Sequence, residues 1–174
     1  MLPNPDQISY NLAGWQDATH VVAFGQKNGE RSRGYVQDIN GGPPRAFTPD
    51  GVIATLFRWW ALPIAPDGTR VVAADERGTP MIYRFDGSAT ESIAGLTTGD
   101  VPVTWTVDGR ALIVAHGEGL PWVVERLDLA TGKRTPVTTI GAHDPAGLRQ
   151  SMLAISRDAK YYVHSYSRLL SDLL

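Results

Sequence analysis

One short pattern occurs four times in this chain, at intervals of 41 to 50 residues. Each copy has an apolar segment, a turn that contains aspartate, and a second segment rich in valine, isoleucine, alanine and aromatic residues. The turn aspartates are Asp17, Asp67, Asp108 and Asp158. A repeat of this length is typical of architectures that stack one small supersecondary unit several times.

Each copy predicts a β-hairpin followed by further strands. Asp67-Gly68 and Asp108-Gly109 are strong hairpin signals, because aspartate bonds to nearby backbone and glycine adopts positive φ without a steric penalty. In the fourth copy Ala159 replaces this glycine, which weakens the turn signal. Third strands with alternating apolar and polar residues are predicted at 34–39, 81–85 and 123–127. Short fourth strands are predicted at 45–48, 91–93 and 135–138.

Four antiparallel strands in such a repeat are the anatomy of a β-propeller blade. The sequence therefore predicts an all-β chain: a partial β-propeller of four-stranded antiparallel blades, with three full blades and the start of a fourth. We expect a single propeller domain or fragment over 1–174, with blades at about 8–50, 59–97, 101–140 and 150–174. A β-sandwich is the competing interpretation, but the recurrence of the aspartate turn at one place in every unit favours the propeller.

Composition argues against several classes of function. Acidic residues outnumber basic ones by 18 to 16, and lysine and arginine form no cluster, so we expect no nucleic-acid partner. The chain has no cysteine, hence no thiolate metal site and no cysteine nucleophile. No window resembles a membrane helix or a signal peptide, so the sequence predicts a cytoplasmic protein without a membrane partner.

The repeat resembles the TolB-like, or WD40-like (PD40), propeller repeat of bacterial proteins, most clearly where Pro66-Asp67-Gly68 precedes Val71-Val72-Ala73. More specifically, the chain resembles the C-terminal propeller of bacterial eukaryotic-like serine/threonine protein kinases. The stretches that carry this resemblance are 35–42 with 47–52, 66–68, 127–132, and 161–166 through 170–173. The resemblance implies a propeller that belongs to a larger bacterial protein.

The chain lacks the catalytic motifs of such enzymes. Nothing in it matches the glycine-rich loop, the strand lysine, or the His-Arg-Asp and Asp-Phe-Gly motifs that hold nucleotide and metal in a kinase. A Gly-x-Ser-x-Gly nucleophile elbow is also missing, which argues against a hydrolase of the prolyl-oligopeptidase type. We therefore predict no enzymatic activity and no cofactor, and we assign no catalytic, cofactor-binding or metal-binding residue.

The four histidines give no metal-site or catalytic signal. His20, His116, His143 and His164 are far apart in sequence and lack the spacing of metal ligands. We expect His20 and His164 at the edges of strands and His116 and His143 in loops, with no role beyond that of surface or strand-end residues. His143 and Asp144 are a plausible hydrogen-bonded pair, but the sequence nominates no serine to complete a triad.

Three further segments have weak functional signals. Residues 38–41 loosely resemble a calcium loop but lack the later glutamate, so we predict a turn. Residues 117–119 resemble a phosphate-binding glycine loop but neither open a helix nor precede a lysine. Arg58-Trp59-Trp60 joins the first two blades; a partner-binding patch is one interpretation, and packing between blades is the simpler one.

Two hypotheses about function follow. The first is a non-catalytic binding or scaffolding module that takes a protein or a small ligand at the loops around the propeller's channel. The second is an accessory or regulatory propeller half of an enzyme, such as a serine/threonine kinase or a prolyl-oligopeptidase-like peptidase, whose catalytic domain lies outside this chain. The sequence leaves the ligand unidentified.

The blade count raises the question of how the propeller closes, because propellers usually have four to eight blades. Residues 5–10 could add an outer strand, or two chains could associate through their open blade edges. A third interpretation makes the chain a fragment of a longer propeller. The resemblance is interrupted at both ends of the chain, which favours the fragment.

Overall fold

The structure is a computed structural model that describes residues 2–54, 62–117, 121–141 and 147–168. Within these residues every regular element is a β-strand, which confirms the all-β prediction. In the same ranges no helix has the length and apolar character needed to cross a membrane. Arg58, Trp59 and Trp60 lie outside the described residues, as do His143 and Asp144.

Thirteen strands form four antiparallel sheets in the described part of the chain, and neighbouring strands are consecutive in sequence. The first sheet contains β1 (Ser9–Trp15), β2 (His20–Gln26), β3 (Arg33–Asp38) and β4 (Arg45–Ala46). The second contains β5 (Arg70–Ala74), β6 (Pro80–Arg84) and β7 (Thr90–Ser92). The third contains β8 (Val101–Trp105), β9 (Ala111–His116), β10 (Trp122–Asp128) and β11 (Arg134–Ile140), and the last contains β12 (Leu148–Ile155) and β13 (Tyr162–Arg168).

The described chain forms two compact units. Met1–Ile93 contains the first and second sheets, and Ala94–Leu174 contains the third and last sheets. In the second of these units Trp105, Leu112 and Leu127 are completely buried. They come from β8, β9 and β10, so one core spans three strands of the third sheet.

The first two sheets share one apolar core within their unit. Val22 and Phe24 of β2 are completely buried and belong to the same cluster as Val71 of β5. Phe47 packs edge-to-face against Phe24 and against Phe85, with ring centroids 5.9 and 5.1 Å apart. Aromatic pairs at these distances add to the free energy gained from burial alone.

The second sheet lacks a full first strand because the segment that would form it contains two prolines. The segment that corresponds to β1 contributes a single isolated bridge, between Ile64 and Val71. Pro63 and Pro66 lie on either side of this bridge, and proline has no amide hydrogen to donate to a ladder. The predicted first strand of this blade is therefore reduced to one residue pair.

The repeated aspartates shape the turn between the first two strands of each unit. One carboxylate oxygen accepts a hydrogen bond from the backbone amide two residues later in every copy. The distances are 2.7 Å for Asp17, 3.0 Å for Asp67, 3.1 Å for Asp108 and 3.2 Å for Asp158. The four side chains are therefore used within their own turns, as the sequence pattern predicts.

Ala159 occupies a position that suits glycine. Gly68 and Gly109 adopt φ angles of 68° and 67° at the equivalent position, and Ala159 adopts 57°. The Ala159 amide still donates to the Ser156 carbonyl at 2.8 Å, so the turn forms despite the side chain. A residue with a Cβ in this left-handed region carries a penalty of about 1–2 kcal/mol.

We expect Ala159→Gly to raise the free energy of unfolding by about 1 kcal/mol, because relief of the left-handed strain exceeds the entropy that glycine adds to the unfolded chain. Urea denaturation followed by circular dichroism measures the change. Ala154→Gly in β12 is the matched control; it should lower stability by about 0.5–1 kcal/mol, because glycine weakens a strand. Equal destabilisation by both variants would contradict the left-handed conformation of Ala159.

Candidate functional site

A buried ion network lies on the third sheet and includes Thr97, Asp100, Glu125 and Arg134. The Asp100 side chain is 1% exposed and receives two parallel hydrogen bonds from Arg134, at 2.7 and 3.0 Å. The Nε of Arg134 donates to Glu125 at 2.8 Å. Thr97 donates its amide and its hydroxyl to the same Asp100 oxygen, at 2.6 and 3.0 Å. Bidentate pairs of this kind are strong and geometrically specific.

The hydrogen bonds of this network decide the charge of Asp100. Burial alone would raise the pKa of its carboxyl group, but the bonds from Arg134 and Thr97 outweigh burial and hold that pKa below its ordinary value. The side-chain bond to Asp100 likewise raises the pKa of the Arg134 guanidinium, against the opposing effect of its burial. Asp100 is therefore an ionised structural carboxylate, unsuited to act as a general acid.

His116 lies at the edge of the network. Its Nδ1 is 3.7 Å from a carboxylate oxygen of Asp100 and 3.7 Å from one of Glu125. The same nitrogen is buried and has no hydrogen-bond partner among the described residues. The sequence placed His116 in a loop, whereas the structure places it at the last residue of β9.

Sequence reasoning missed this network because its members are far apart in the chain. Asp100 precedes Arg134 by 34 residues, and Glu125 precedes it by 9. One signal was available: an arginine and a glutamate form a diagonal pair across the last two strands of the second and of the third sheet. In the second sheet the pair is Arg84 and Glu91, 3.2 Å apart and far more exposed.

A second candidate surface, which we call the rim, contains Arg31, Arg33, Asp50 and Glu76 in the first unit. Arg31 forms an ion pair with Glu76, and Arg33 forms one with Asp50. The bond from Arg33 holds the pKa of the Asp50 carboxyl group below its ordinary value. These pairs connect the loop after β2, with the adjoining first residue of β3, to the segment after β4 and the turn after β5.

Backbone bonds hold the same three segments together. The Gly51 amide donates to the Ser32 carbonyl at 2.9 Å, and Ile53 pairs with Ala74 in an isolated antiparallel bridge. The backbone beneath the rim is therefore fixed before any partner binds. Such preorganisation reduces the conformational entropy that the protein loses when a partner binds.

A polar cleft of about 370 Å³ lies beside the rim. Arg33 contributes to its wall, and the hydroxyl-bearing residues Thr48, Ser88 and Thr90 line it as well. Thr48 uses its hydroxyl internally, accepting from the Gly34 amide at 2.9 Å. The Arg33 side chain is one-third exposed, at 33%, so it faces both the cleft and solvent.

An apolar cavity of about 450 Å³ lies on one face of the first sheet. Its sheet side carries Ala13, Val21, Ala23, Tyr35 and Gln37, and residues 2–4 and Tyr10 complete the lining. The Tyr35 hydroxyl is buried and has no hydrogen-bond partner among the described residues. Burial raises the pKa of Tyr35, so its phenol stays neutral.

The remaining sequence candidates have structural roles where they are described. His20 bonds through Nδ1 to Asp17 at 3.1 Å, beside its turn. Asp38 uses its carboxylate to accept from the Asn40 amide at 2.8 Å, as a turn residue does. His164 stacks on Tyr166 with ring centroids 5.7 Å apart. No cluster of three or more metal-ligand side chains occurs in the parts of the chain that the structure describes.

The sheets and the comparisons with solved structures define the class of protein: this chain has a β-propeller fold. TolB from Acinetobacter baumannii has a TM-score of 0.53 and 17% sequence identity, over 87% of this chain and 41% of TolB. A prolyl endopeptidase has a TM-score of 0.59 and 16% identity, over 94% of this chain and 27% of the enzyme. These two similar structures confirm the predicted β-propeller fold.

A third similar structure is an oligogalacturonate lyase in complex with manganese, with a TM-score of 0.52 and 15% identity over 86% of this chain. This chain spans between 27% and 50% of the length of the three solved proteins. No family model and no curated protein matches the sequence. At these sequence identities the similarity establishes the fold alone, and the activities of those proteins are not transferred to this chain.

We expect Arg134→Met to lower the free energy of unfolding by about 3–5 kcal/mol at neutral pH, because Asp100 stays buried without its cation. In the parent chain the pKa of Asp100 is lowered, so its contribution is present above the unfolded pKa and lost as pH falls through the folded pKa. In the variant burial raises that pKa instead. The difference in stability between the two proteins should therefore shrink between neutral pH and about pH 4.

Urea denaturation at both pH values measures this difference. Arg84→Met is the matched control, because it breaks the equivalent exposed pair with Glu91, and it should change stability by less than about 1 kcal/mol. A similar loss in both variants, or a loss from Arg134→Met that does not depend on pH, would show that the network is not an ionised buried pair.

Proposed function

We propose that this chain is a non-catalytic binding or scaffolding module, a β-propeller portion of a larger bacterial protein. The share of the solved proteins that it spans, between 27% and 50%, supports its being part of a longer propeller. Its most elaborate charged cluster supports the same proposal. In the network around Asp100 the carboxylates and the guanidinium form hydrogen bonds with each other, as charged groups with a structural role do.

The preorganised rim is the observation that carries the binding proposal. Arg31 is 69% exposed and Glu76 is 58% exposed, although they form an ion pair. Charges of both signs therefore face solvent above a backbone that is already fixed. The cleft beside them adds hydroxyl groups and the edge of Phe47. Fixed polar groups next to a cleft give specificity to a binding surface.

The chemistry of the rim favours a protein segment as the partner. A segment with alternating charged and polar side chains can exchange ion pairs with Arg33 and Asp50 and place a side chain in the cleft. Charges of both signs repel a polyanion as much as they attract it, so we propose no nucleic-acid partner. We propose further that the module needs no cofactor, has no membrane partner and acts in the cytoplasm.

A second candidate function is the accessory propeller of an enzyme, with a kinase or peptidase domain outside this chain. One observation favours it: the prolyl endopeptidase has a TM-score of 0.59, and this chain spans 27% of that enzyme. The continuous reading frame on either side of the chain distinguishes the two candidates. Kinase or hydrolase motifs in that frame support the accessory role, and further propeller repeats alone support the binding module.

A phage-displayed random peptide library selected on the immobilised chain tests the binding surface. Selected peptides should bind Arg33→Ala at least about tenfold more weakly than the parent, because the variant loses both the rim ion pair and one wall of the cleft. Fluorescence anisotropy with labelled peptides measures the affinities.

Arg126→Ala is the matched control for this experiment. Arg126 is also paired with an aspartate, Asp128, and is 36% exposed, but it lies on the third sheet. Its removal should leave peptide affinity unchanged, and the two variants should have melting temperatures close to that of the parent. Peptides that bind both variants as well as the parent would place the binding surface elsewhere and refute the role of the rim.

A further inference from the structure

Two asparagine–glycine pairs occur in the chain, Asn28-Gly29 and Asn40-Gly41, and both asparagines are exposed in turns of the first sheet. An asparagine side-chain amide is open to attack by the next backbone nitrogen when glycine follows, because glycine has no Cβ in the way. A Cβ built at Gly29 or at Gly41 would meet no atom within 4 Å. The dipeptide and the open space are therefore the same at the two sites, and their hydrogen bonds distinguish them.

The turn at Asn28 leaves both reacting groups free. It lies between β2 and β3, and the Glu30 amide closes it by donating to the Lys27 carbonyl at 3.0 Å. Gly29, the third residue of the turn, has a φ of 79°, as a type II turn requires. In the part of the chain that the structure describes, neither the Asn28 side chain nor the Gly29 amide forms a hydrogen bond. The attacking nitrogen and the carbon that it attacks are thus both available.

The turn at Asn40 engages the same groups. The Gly41 amide donates to the Asp38 carbonyl at 3.2 Å, and the Asn40 side-chain nitrogen donates to the Asp38 carboxylate at 2.9 Å. The Asn40 backbone amide donates to that carboxylate as well, at 2.8 Å. The carboxylate also opposes the negative charge that the Gly41 nitrogen must develop before it attacks.

We propose that Asn28 is a site of spontaneous deamidation, the conversion of its side-chain amide to a carboxylate, and that the turn at Asn40 protects the second asparagine–glycine pair. The observation that carries the proposal is the contrast in hydrogen bonding between two identical dipeptides in one sheet. The reaction is intramolecular, so a turn that leaves its groups free favours it.

Water is the one reagent that the modification needs. The Gly29 amide nitrogen loses its proton to hydroxide and attacks the Asn28 Cγ, forming a five-membered succinimide. The bond from Cγ to Nδ2 breaks, and this nitrogen takes a proton from water and leaves as ammonia. A water molecule then adds to one of the two ring carbonyl groups and opens the ring. The products are aspartate and isoaspartate, and no atom is oxidised or reduced.

The product changes the loop that leads to the rim. Residues 27–31 contain two cations, Lys27 and Arg31, and one acid, Glu30, so a carboxylate at position 28 balances the charge of the loop. Isoaspartate also adds a methylene group to the main chain within the turn that Glu30 closes. The site lies in a loop between neighbouring strands, apart from the faces of the sheet. It stands independently of the proposed function.

Peptide mapping by mass spectrometry of the folded chain, kept in mildly alkaline buffer, tests the site. The peptide with Asn28 should convert at least about tenfold faster than the peptide with Asn40, because the bonds to Asp38 must break before Asn40 reacts. The same chain in concentrated urea is the control, and there the two rates should converge. Equal or faster conversion of Asn40 in the folded chain, an unchanged Asn28, or a ratio that persists in urea would overturn the proposal.

Two variants examine the two turns separately. Asp38→Ala should accelerate conversion at Asn40 severalfold and leave the rate at Asn28 unchanged, because it removes the carboxylate that holds Asn40. Asn28→Gln keeps the amide but requires a slower six-membered ring closure, so the acidic form that accumulates in the parent on ion-exchange chromatography should be absent. Matching circular dichroism spectra verify that both variants fold. An Asn40 that stays unreactive in Asp38→Ala would contradict protection by the turn.

Discussion

The hydrogen bond from each turn aspartate to the amide two residues later fixes the alignment of the four units. It sets where the second strand begins, and a shift by one residue would exchange the two faces of a sheet. Because Asp17 and Asp67 close equivalent turns, Val22 of the first sheet and Val71 of the second reach the same core. The packing between sheets therefore depends on these short polar contacts at their ends.

Both units have an apolar core, but only the third sheet adds a buried ion network among the described residues. Between the first two sheets the core contains Phe24, Phe47 and Phe85 in a chain of edge-to-face contacts. On the third sheet a carboxylate is buried to 1% exposure and compensated by Arg134. An apolar core tolerates substitutions of similar volume, whereas a buried ion pair is destabilised when either member is replaced. The sequence of the third sheet should therefore tolerate fewer substitutions at these positions than the apolar core between the first two sheets.

Local patterns were enough to predict the strands, the turns and the class of fold. Asp-Gly pairs and alternating residues act over a few positions, and the structure follows them in the first and third sheets. The single bridge at Ile64 was not predicted, although Pro63 and Pro66 were visible, because their effect depends on which amides the neighbouring strand needs. The Asp100 network escaped prediction because it depends on tertiary proximity between residues 34 apart.

The two-stranded last sheet has a consequence for the dynamics of the protein. Its turn contains Ala159 in a left-handed conformation, and its β13 side chains Tyr162, Val163 and Tyr166 are about half exposed or more. Few buried contacts and a strained turn give a low free energy of local opening. Its amide hydrogens should therefore exchange with solvent sooner than those of β9, whose first five residues are buried. Any contact that covers this hairpin would slow that exchange.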